Sequence, residues 1–165
     1  MQTLIVVPAR YGSTRFPGKP LAEINGISMV RRTARIAELA AREIKNCSYV
    51  IATDDARIEA HCKDHHLQNV MTSSALKTGS DRALAAANAL SAIDGQIYDR
   101  IINLQGDAPF TPVSHIVSIA KAMDNGADVA TPYITLSWDA LDALREHKVE
   151  TPFSGTTVIV GMDNK

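Results

Sequence analysis

Several features that would place a protein at a glance are scarce in this chain. There are two cysteines, Cys47 and Cys62, in no spacing used for metal binding or thiol redox chemistry. That argues against a disulfide-stapled scaffold and for a reducing compartment. Aromatic residues make up only 5%, and the single tryptophan, Trp138, reads as a packing residue. Charge of one sign is not in excess: the formal net charge is -1. General binding to nucleic acid or to an anionic membrane therefore has no support, and any anion site must be local. No apolar run approaches the roughly 20 residues that span a bilayer. The N-terminus enters a strand almost at once, without a charged leader or a cleavage site, and is read as no signal peptide. A soluble, cytoplasmic protein is the expectation. What remains is 165 residues, 45% hydrophobic and 21% charged, enough for one domain with a substantial core.

Against that plain background, residues 8–20 stand out: Pro-Ala-Arg-Tyr-Gly-Ser-Thr-Arg-Phe-Pro-Gly-Lys-Pro. The run Leu4-Ile5-Val6-Val7 before them has the look of a buried parallel strand. The chain from about Ser28 reads as a helix. Residues 8–20 thus form a loop at the carboxyl end of a first strand, where open α/β sheets bind ligands. Arg10, Arg15 and Lys19 occur there with no acidic residue between them. Gly12 and Gly18 allow close backbone approach, and Ser13 and Thr14 add hydroxyl donors. Three cations on such a loop suit a polyanion such as a nucleoside triphosphate. A solvated basic loop is the other reading of the same residues.

Further along, apolar spacing predicts a helix over 28–44, a strand over 49–52, and a helix opened by Asp54-Asp55. A short strand at 69–71 and an alanine-rich helix to about Ile93 follow, with Ser80 as its N-cap. A fourth strand over 100–104 breaks at Gln105-Gly106-Asp107, and Pro112 can open a helix ending near Asp124. Residues 128–134 and 156–160 read as strands, with a short helix over 138–145 between them. Strand-helix alternation implies an α/β fold with a doubly wound, mostly parallel sheet. No repeat or linker divides the chain, so 1–165 is expected to be a single domain. Its last residues, Gly161-Met162-Asp163-Asn164-Lys165, are turn chemistry with no returning strand, so the chain is expected to lack a C-terminal portion of the architecture.

Three further sites carry possible chemistry. At 103–109, Gly106 relieves the backbone after a buried strand and Asp107 is presented at the carboxyl edge of the sheet. One carboxylate beside a triphosphate is what Mg²⁺ requires, and Gln105 offers an amide suited to a base or sugar hydroxyl. The same residues could be a strand-ending turn with a capping Asp. At 77–82, Gly79 frees a loop and Arg82 could reach a ligand, or Ser80 and Asp81 could simply cap a helix. His61, Cys62, His65 and His66 resemble a metal cluster, but no general base or further ligand accompanies them, which favours a polar helix end. Asp54-Asp55 is read as a helix start rather than a metal pair. No serine or cysteine has the partners of a nucleophile.

Residues 8–20 resemble the nucleotide-binding signature of the 3-deoxy-manno-octulosonate cytidylyltransferases, the CMP-KDO synthetases. Asp54-Asp55, residues 78–82 and Gln105-Gly106-Asp107 recur in that family's order and approximate spacing. The resemblance implies a nucleotide-diphospho-sugar transferase-like (Rossmann-like) fold and transfer of CMP from CTP to the sugar acid KDO. Pyrophosphate is released and Mg²⁺ is the cofactor, in lipopolysaccharide biosynthesis. It further implies that Arg10, Ser13, Arg15 and Lys19 hold the CTP phosphates, with Arg10, Lys19 and Asp107 carrying catalysis. Asp107 would be the metal ligand, Gln105 would contact ligand in the cleft, and Arg82 would help bind nucleotide or sugar. CTP and a sugar acid are the expected partners, and a homodimer is expected of the longer family form. Two departures bear on this. Ala108 stands where the family usually has Glu in Gln-Gly-Asp-Glu-Pro, which opens the sugar's identity. Family members also run longer, and their later portion supplies a second metal-binding Asp and much of the sugar pocket. Another sugar nucleotidyltransferase, such as a sialic acid cytidylyltransferase, or a non-catalytic nucleotide-binding module are the other readings.

Overall fold

The computed structural model describes residues 1–12, 16–152 and 158. They fall into two compact units, Met1–Asp128 and Val129–Lys165.

The first unit is built on a parallel sheet. Its strands are β1 (Thr3–Ala9), β4 (Cys47–Thr53), β5 (Asn69–Met71) and β6 (Arg100–Asn103). They lie in the order β5-β4-β1-β6, every pairing parallel, with Val6 opposite Val50 on one side and Asn103 on the other. Strand β1 is fully sandwiched, and its alternating side chains feed two separate cores. Ile5 and Val7 join Val30, Ala34, Ala37, Ile58 and Ile116 on one face. Leu4 and Val6 join Val50, Ala83, Ala86 and Ala87 on the other. Those partners come from helices α1 (Met29–Glu43), α2 (Ala56–Asp64) and α4 (Val113–Asp124) on the first face and α3 (Gly79–Asp94) on the second. The sheet is therefore covered on both faces, as the alternation predicts.

Local chemistry sets the element ends. Asp55 caps α2, its carboxylate accepting from Arg57 N, as the helix-start reading of Asp54-Asp55 anticipates. Thr78, not Ser80, caps α3. Thr78 Oγ1 accepts from Asp81 N, and the Asp81 carboxylate accepts from Thr78 N, a reciprocal capping box. Between β1 and α1 the chain makes a tight hairpin of β2 (Glu23–Ile24) and β3 (Ile27–Ser28). Its turn, Asn25-Gly26, has both φ positive. Arg100 anchors β6 to the end of α4, donating to Ala120 O at 2.9 Å and to the Asp124 carboxylate.

In the second unit, α5 (Trp138–Glu150) is capped by Ser137, whose Oγ accepts from Ala140 N, and it buries no residue. Residues 128–134, expected to form a strand, make no ladder. Their composition suits a strand, but Pro132 cannot donate, and the described residues provide no partner strand. The strand expected over 156–160 lies almost wholly outside the described residues. No helix among the described residues is long and apolar enough to cross a membrane.

Candidate nucleotide site

The order β5-β4-β1-β6 contains one reversal. From β1 the chain adds β4 and then β5 on one side, and then returns to place β6 on the other. Such a switch point opens a crevice beyond the carboxyl ends of the two flanking strands. Here those ends are Ala9 and Asn103, so the loops that follow β1 and β6 must face each other. They enclose a cleft of about 760 Å³, lined by Pro8, Arg10, Gly12, Phe16, Lys19, Pro20, Met29, Gly79, Gln105, Gly106 and Asp107. Two motifs that are about 90 residues apart in the chain thus become one site.

Gly106 makes the junction close. Its backbone lies so near Pro8 that a Cβ there would stand 2.2 Å from the Pro8 carbonyl oxygen. The Gly106 carbonyl accepts from Thr33 Oγ1 at 3.2 Å, which ties the turn to α1. Asp107 and Lys19 meet across the cleft, Lys19 Nζ donating to Asp107 Oδ2 at 2.7 Å. The side chains are 35% and 54% exposed, so both can exchange this contact for a ligand. Arg10 Nη1 donates to Lys77 O at 2.9 Å and brings the loop before α3 to the rim. The first turn of α3 reaches the cleft through Gly79, which sets the positive end of a helix dipole beside a cationic wall.

Of the residues expected to form the site, Arg10, Lys19, Gln105 and Asp107 are brought together. Ser13 and Arg15 lie outside the described residues. Arg82 is a correction: its side chain is fully buried and does not line the cleft. Arg82 Nη2 donates to Asp54 Oδ2 at 2.7 Å and Nη1 to Thr72 Oγ1 at 2.5 Å, joining α3 to the ends of β4 and β5. Removing one member of a buried ion pair leaves the other uncompensated. Arg82→Leu is therefore expected to destabilise the protein by on the order of 3 kcal/mol, read as a shifted urea midpoint. An unchanged midpoint would return Arg82 to a ligand role.

The other polar clusters make local contacts. His61 Nε2 and Ser28 Oγ are 2.7 Å apart, and the His61 and His65 rings meet edge to face at 4.5 Å. Burial and the neighbouring His65 and Arg31 hold the His61 pKa below its ordinary 6.5. No cluster of three metal-ligating side chains occurs among the described residues. Burial pushes the Cys47 and Cys62 thiols up to about 11, so neither is poised as a thiolate. Missing from the sequence reading are the apolar wall of Phe16, Pro20 and Met29, and a stack of Tyr11 against Arg57. The stack's two members are 46 positions apart in sequence, and no local pattern links them.

A cationic loop facing a carboxylate at a switch point suits an anionic nucleotide. Residues 4–157 match the family model described as Cytidylyltransferase. The chain belongs to the cytidylyltransferase family. Within that family it is 41% identical over 161 residues to the 3-deoxy-manno-octulosonate cytidylyltransferase of Maricaulis maris, covering 96% of this chain and 60% of that protein. It is 40% identical over 134 residues to the 8-amino-3,8-dideoxy-manno-octulosonate cytidylyltransferase of Shewanella baltica, covering 79% and 52%. A solved CMP:2-keto-3-deoxy-manno-octonic acid synthetase complexed with CTP superposes with a TM-score of 0.63 at 30% identity, over 76% of this chain and 48% of that one. The chain thus spans about half the length of the relatives it matches.

Proposed function

We propose that the protein transfers CMP from CTP to 3-deoxy-manno-octulosonate or a close analogue, releasing pyrophosphate. The observation that carries this reading is the facing of Lys19 and Arg10 with Asp107 across the switch-point cleft. The sugar's anomeric hydroxyl attacks the α-phosphorus of CTP in line. A new O–P bond forms as the bond from the α-phosphorus to the bridging oxygen breaks; the hydroxyl proton passes to solvent, and the electron pair leaves on pyrophosphate. No covalent enzyme intermediate is needed, so positioning and electrostatics supply the catalysis.

Lys19 and Arg10 place positive charge where the leaving pyrophosphate gains negative charge, and Ser13 and Arg15 complete the phosphate contacts in this reading. Gln105 presents its amide to the ligand. The donor set fits magnesium held on a nucleotide: one hard, half-exposed carboxylate at the phosphate-binding loop, with the remaining ligands left to phosphate and water. Asp107 would hold Mg²⁺, which when bound neutralises phosphate charge as the leaving group departs. Ala108 removes the side chain usual at that position in the family, and relatives acting on two related octulosonates are similarly close. On the same reading the reaction belongs to lipopolysaccharide biosynthesis in the cytoplasm and is carried out by a homodimer.

The test is pyrophosphate release with Mg²⁺ and CTP, UTP or GTP, each with 3-deoxy-manno-octulosonate and its 8-amino-8-deoxy analogue. Release that depends on CTP and on one of the sugars is expected. Equal release with UTP would overturn the base assignment, and CTP binding without release would favour a nucleotide-binding module. Lys19→Ala is expected to weaken CTP binding by about tenfold or more, the value of a charge-assisted hydrogen bond. CMP binding should change far less, because CMP lacks the β- and γ-phosphates. Equal losses for CTP and CMP in calorimetry would count against this role.

A further inference from the structure

The basic loop begins at Tyr11 and ends at Gly18, immediately before Lys19. Gly18 N donates to Tyr11 O at 2.9 Å, which closes the mouth of the loop. Gly18 takes φ +72, and a Cβ there would lie 3.1 Å from the Tyr11 ring, so the ring packs directly on the loop's far end. On the Tyr11 ring sits the Arg57 guanidinium, its Cζ 3.3 Å from the ring centroid. Arg57 is itself fixed by a fork to Asp55, Nε to Oδ1 at 2.9 Å and Nη2 to Oδ2 at 2.7 Å. Asp55 is anchored in turn: its carboxylate caps α2, and its N–H donates to Oγ1 of Thr53, the buried last residue of β4. A continuous run of contacts therefore leads from the central sheet, through Asp55, Arg57 and Tyr11, to the residue preceding Lys19.

Resting on the nucleotide reading above, we propose that Arg57 and Tyr11 are positioning residues that brace the triphosphate-binding loop. Arg10 and Lys19 flank the braced ends, Tyr11 and Gly18, and cations held in place spend less free energy on ordering when ligand arrives. Arg57 is not among the residues lining the cleft, and its fork grips Asp55, whose carboxyl it holds below the ordinary pKa. Its planar guanidinium is what the position demands. One face stacks on the ring while the edge grips the carboxylate, a pairing that a lysine ammonium cannot reproduce.

The experiment measures CTP and CMP affinity by calorimetry with Mg²⁺, and thermal midpoints, for the wild type, Arg57→Ala, Arg57→Lys, Tyr11→Phe, Tyr11→Leu and the Arg57→Ala/Tyr11→Leu double variant. Arg57 is 60% exposed, so its removal opens no cavity, and the test survives if Tyr11→Leu folds poorly. Arg57→Ala is expected to weaken CTP binding roughly fivefold, with a smaller loss for CMP and a nearly unchanged midpoint. Arg57→Lys should fall between, Tyr11→Phe should match the wild type, and the double variant should be no worse than its weaker parent. Wild-type CTP affinity in Arg57→Ala, or a lowered midpoint without lost affinity, overturns the brace. Additive losses in the double variant overturn it as well, pointing to direct contact of Arg57 with nucleotide. Failure of the wild type to bind CTP at all removes the nucleotide reading and the brace with it.

Discussion

Gly106→Ala is expected to lower kcat/KM for pyrophosphate release by about 10²-fold or more, the scale of a misplacement near 1 Å at a reacting centre. The argument is steric. The added methyl would stand 2.2 Å from the carbonyl oxygen of Pro8. The Cβ is fixed by the backbone and the oxygen belongs to it, so no rotamer change relieves the overlap. The neighbouring ladder contact, Leu104 N to Val6 O at 2.9 Å, holds the strand ends together on one side. The Thr33 hydroxyl holds Gly106 from the other. Relief therefore requires the carboxyl ends of β1 and β6 to separate. That movement carries Arg10 and Lys19 away from Gln105 and Asp107, so binding and chemistry fall together. A stability loss of about 1–3 kcal/mol should accompany it, as for other overpacked interiors. Gly79→Ala is the control, because a Cβ there meets its neighbours at 3.5 Å or more, ordinary contact. Its melting temperature should stay near that of the wild type. If Gly106→Ala retained wild-type CTP affinity and turnover, the spacing of the two strand ends would not matter to the site.

The same junction shows why part of this protein is legible in its sequence and part is not. Strand β1 announces itself by four consecutive β-branched or leucine residues, and the loop after it by three cations without an acid. Both are local signals: β1 stands where the first predicts it, and Arg10 and Lys19 line the cleft that follows. The facing of Lys19 and Asp107 follows from strand order, and order is decided by packing among elements far apart in the chain. Arg82 shows the opposite failure. An arginine in the first turn of a helix reads as solvated or ligand-seeking, yet its partners are Thr72 and Asp54, 10 and 28 positions earlier. No periodicity records such a pairing. Other misses had a signal in plain view. Thr78 with Asp81 three residues on is a capping-box pattern that outranks Ser80, and Asn25-Gly26 marks a hairpin turn. Residues 128–134, with Val129, Thr131, Tyr133 and Ile134, have strand-like composition, but a strand exists only where another offers its edge.

Asp107→Asn is expected to reduce Mg²⁺-dependent turnover by about 10³-fold, on the order of 4 kcal/mol of lost transition-state stabilisation. The substitution keeps the shape and removes the charge. Asp107 is more than half exposed and lies in a turn, so the fold and its melting temperature should be nearly unchanged. Two consequences have opposite signs, and this makes the variant informative. On the proposed reading the carboxylate that would hold Mg²⁺ is gone, so CTP binding should no longer respond to Mg²⁺. Yet the anion that engages Lys19 at 2.7 Å is gone as well. Lys19 no longer has to exchange a charged partner for a phosphate, and CTP binding in the presence of a chelator should hold or tighten. A merely structural aspartate would weaken both measurements together through general destabilisation. The expected result is therefore a crossing: CTP affinity without metal equal to or above wild type, CTP affinity with metal below it, and turnover nearly lost. Wild-type turnover in Asp107→Asn would falsify a metal-holding role for this carboxylate. Parallel weakening with and without Mg²⁺ would instead show that the Lys19–Asp107 pair supports the shape of the site and does not stand in for its ligands.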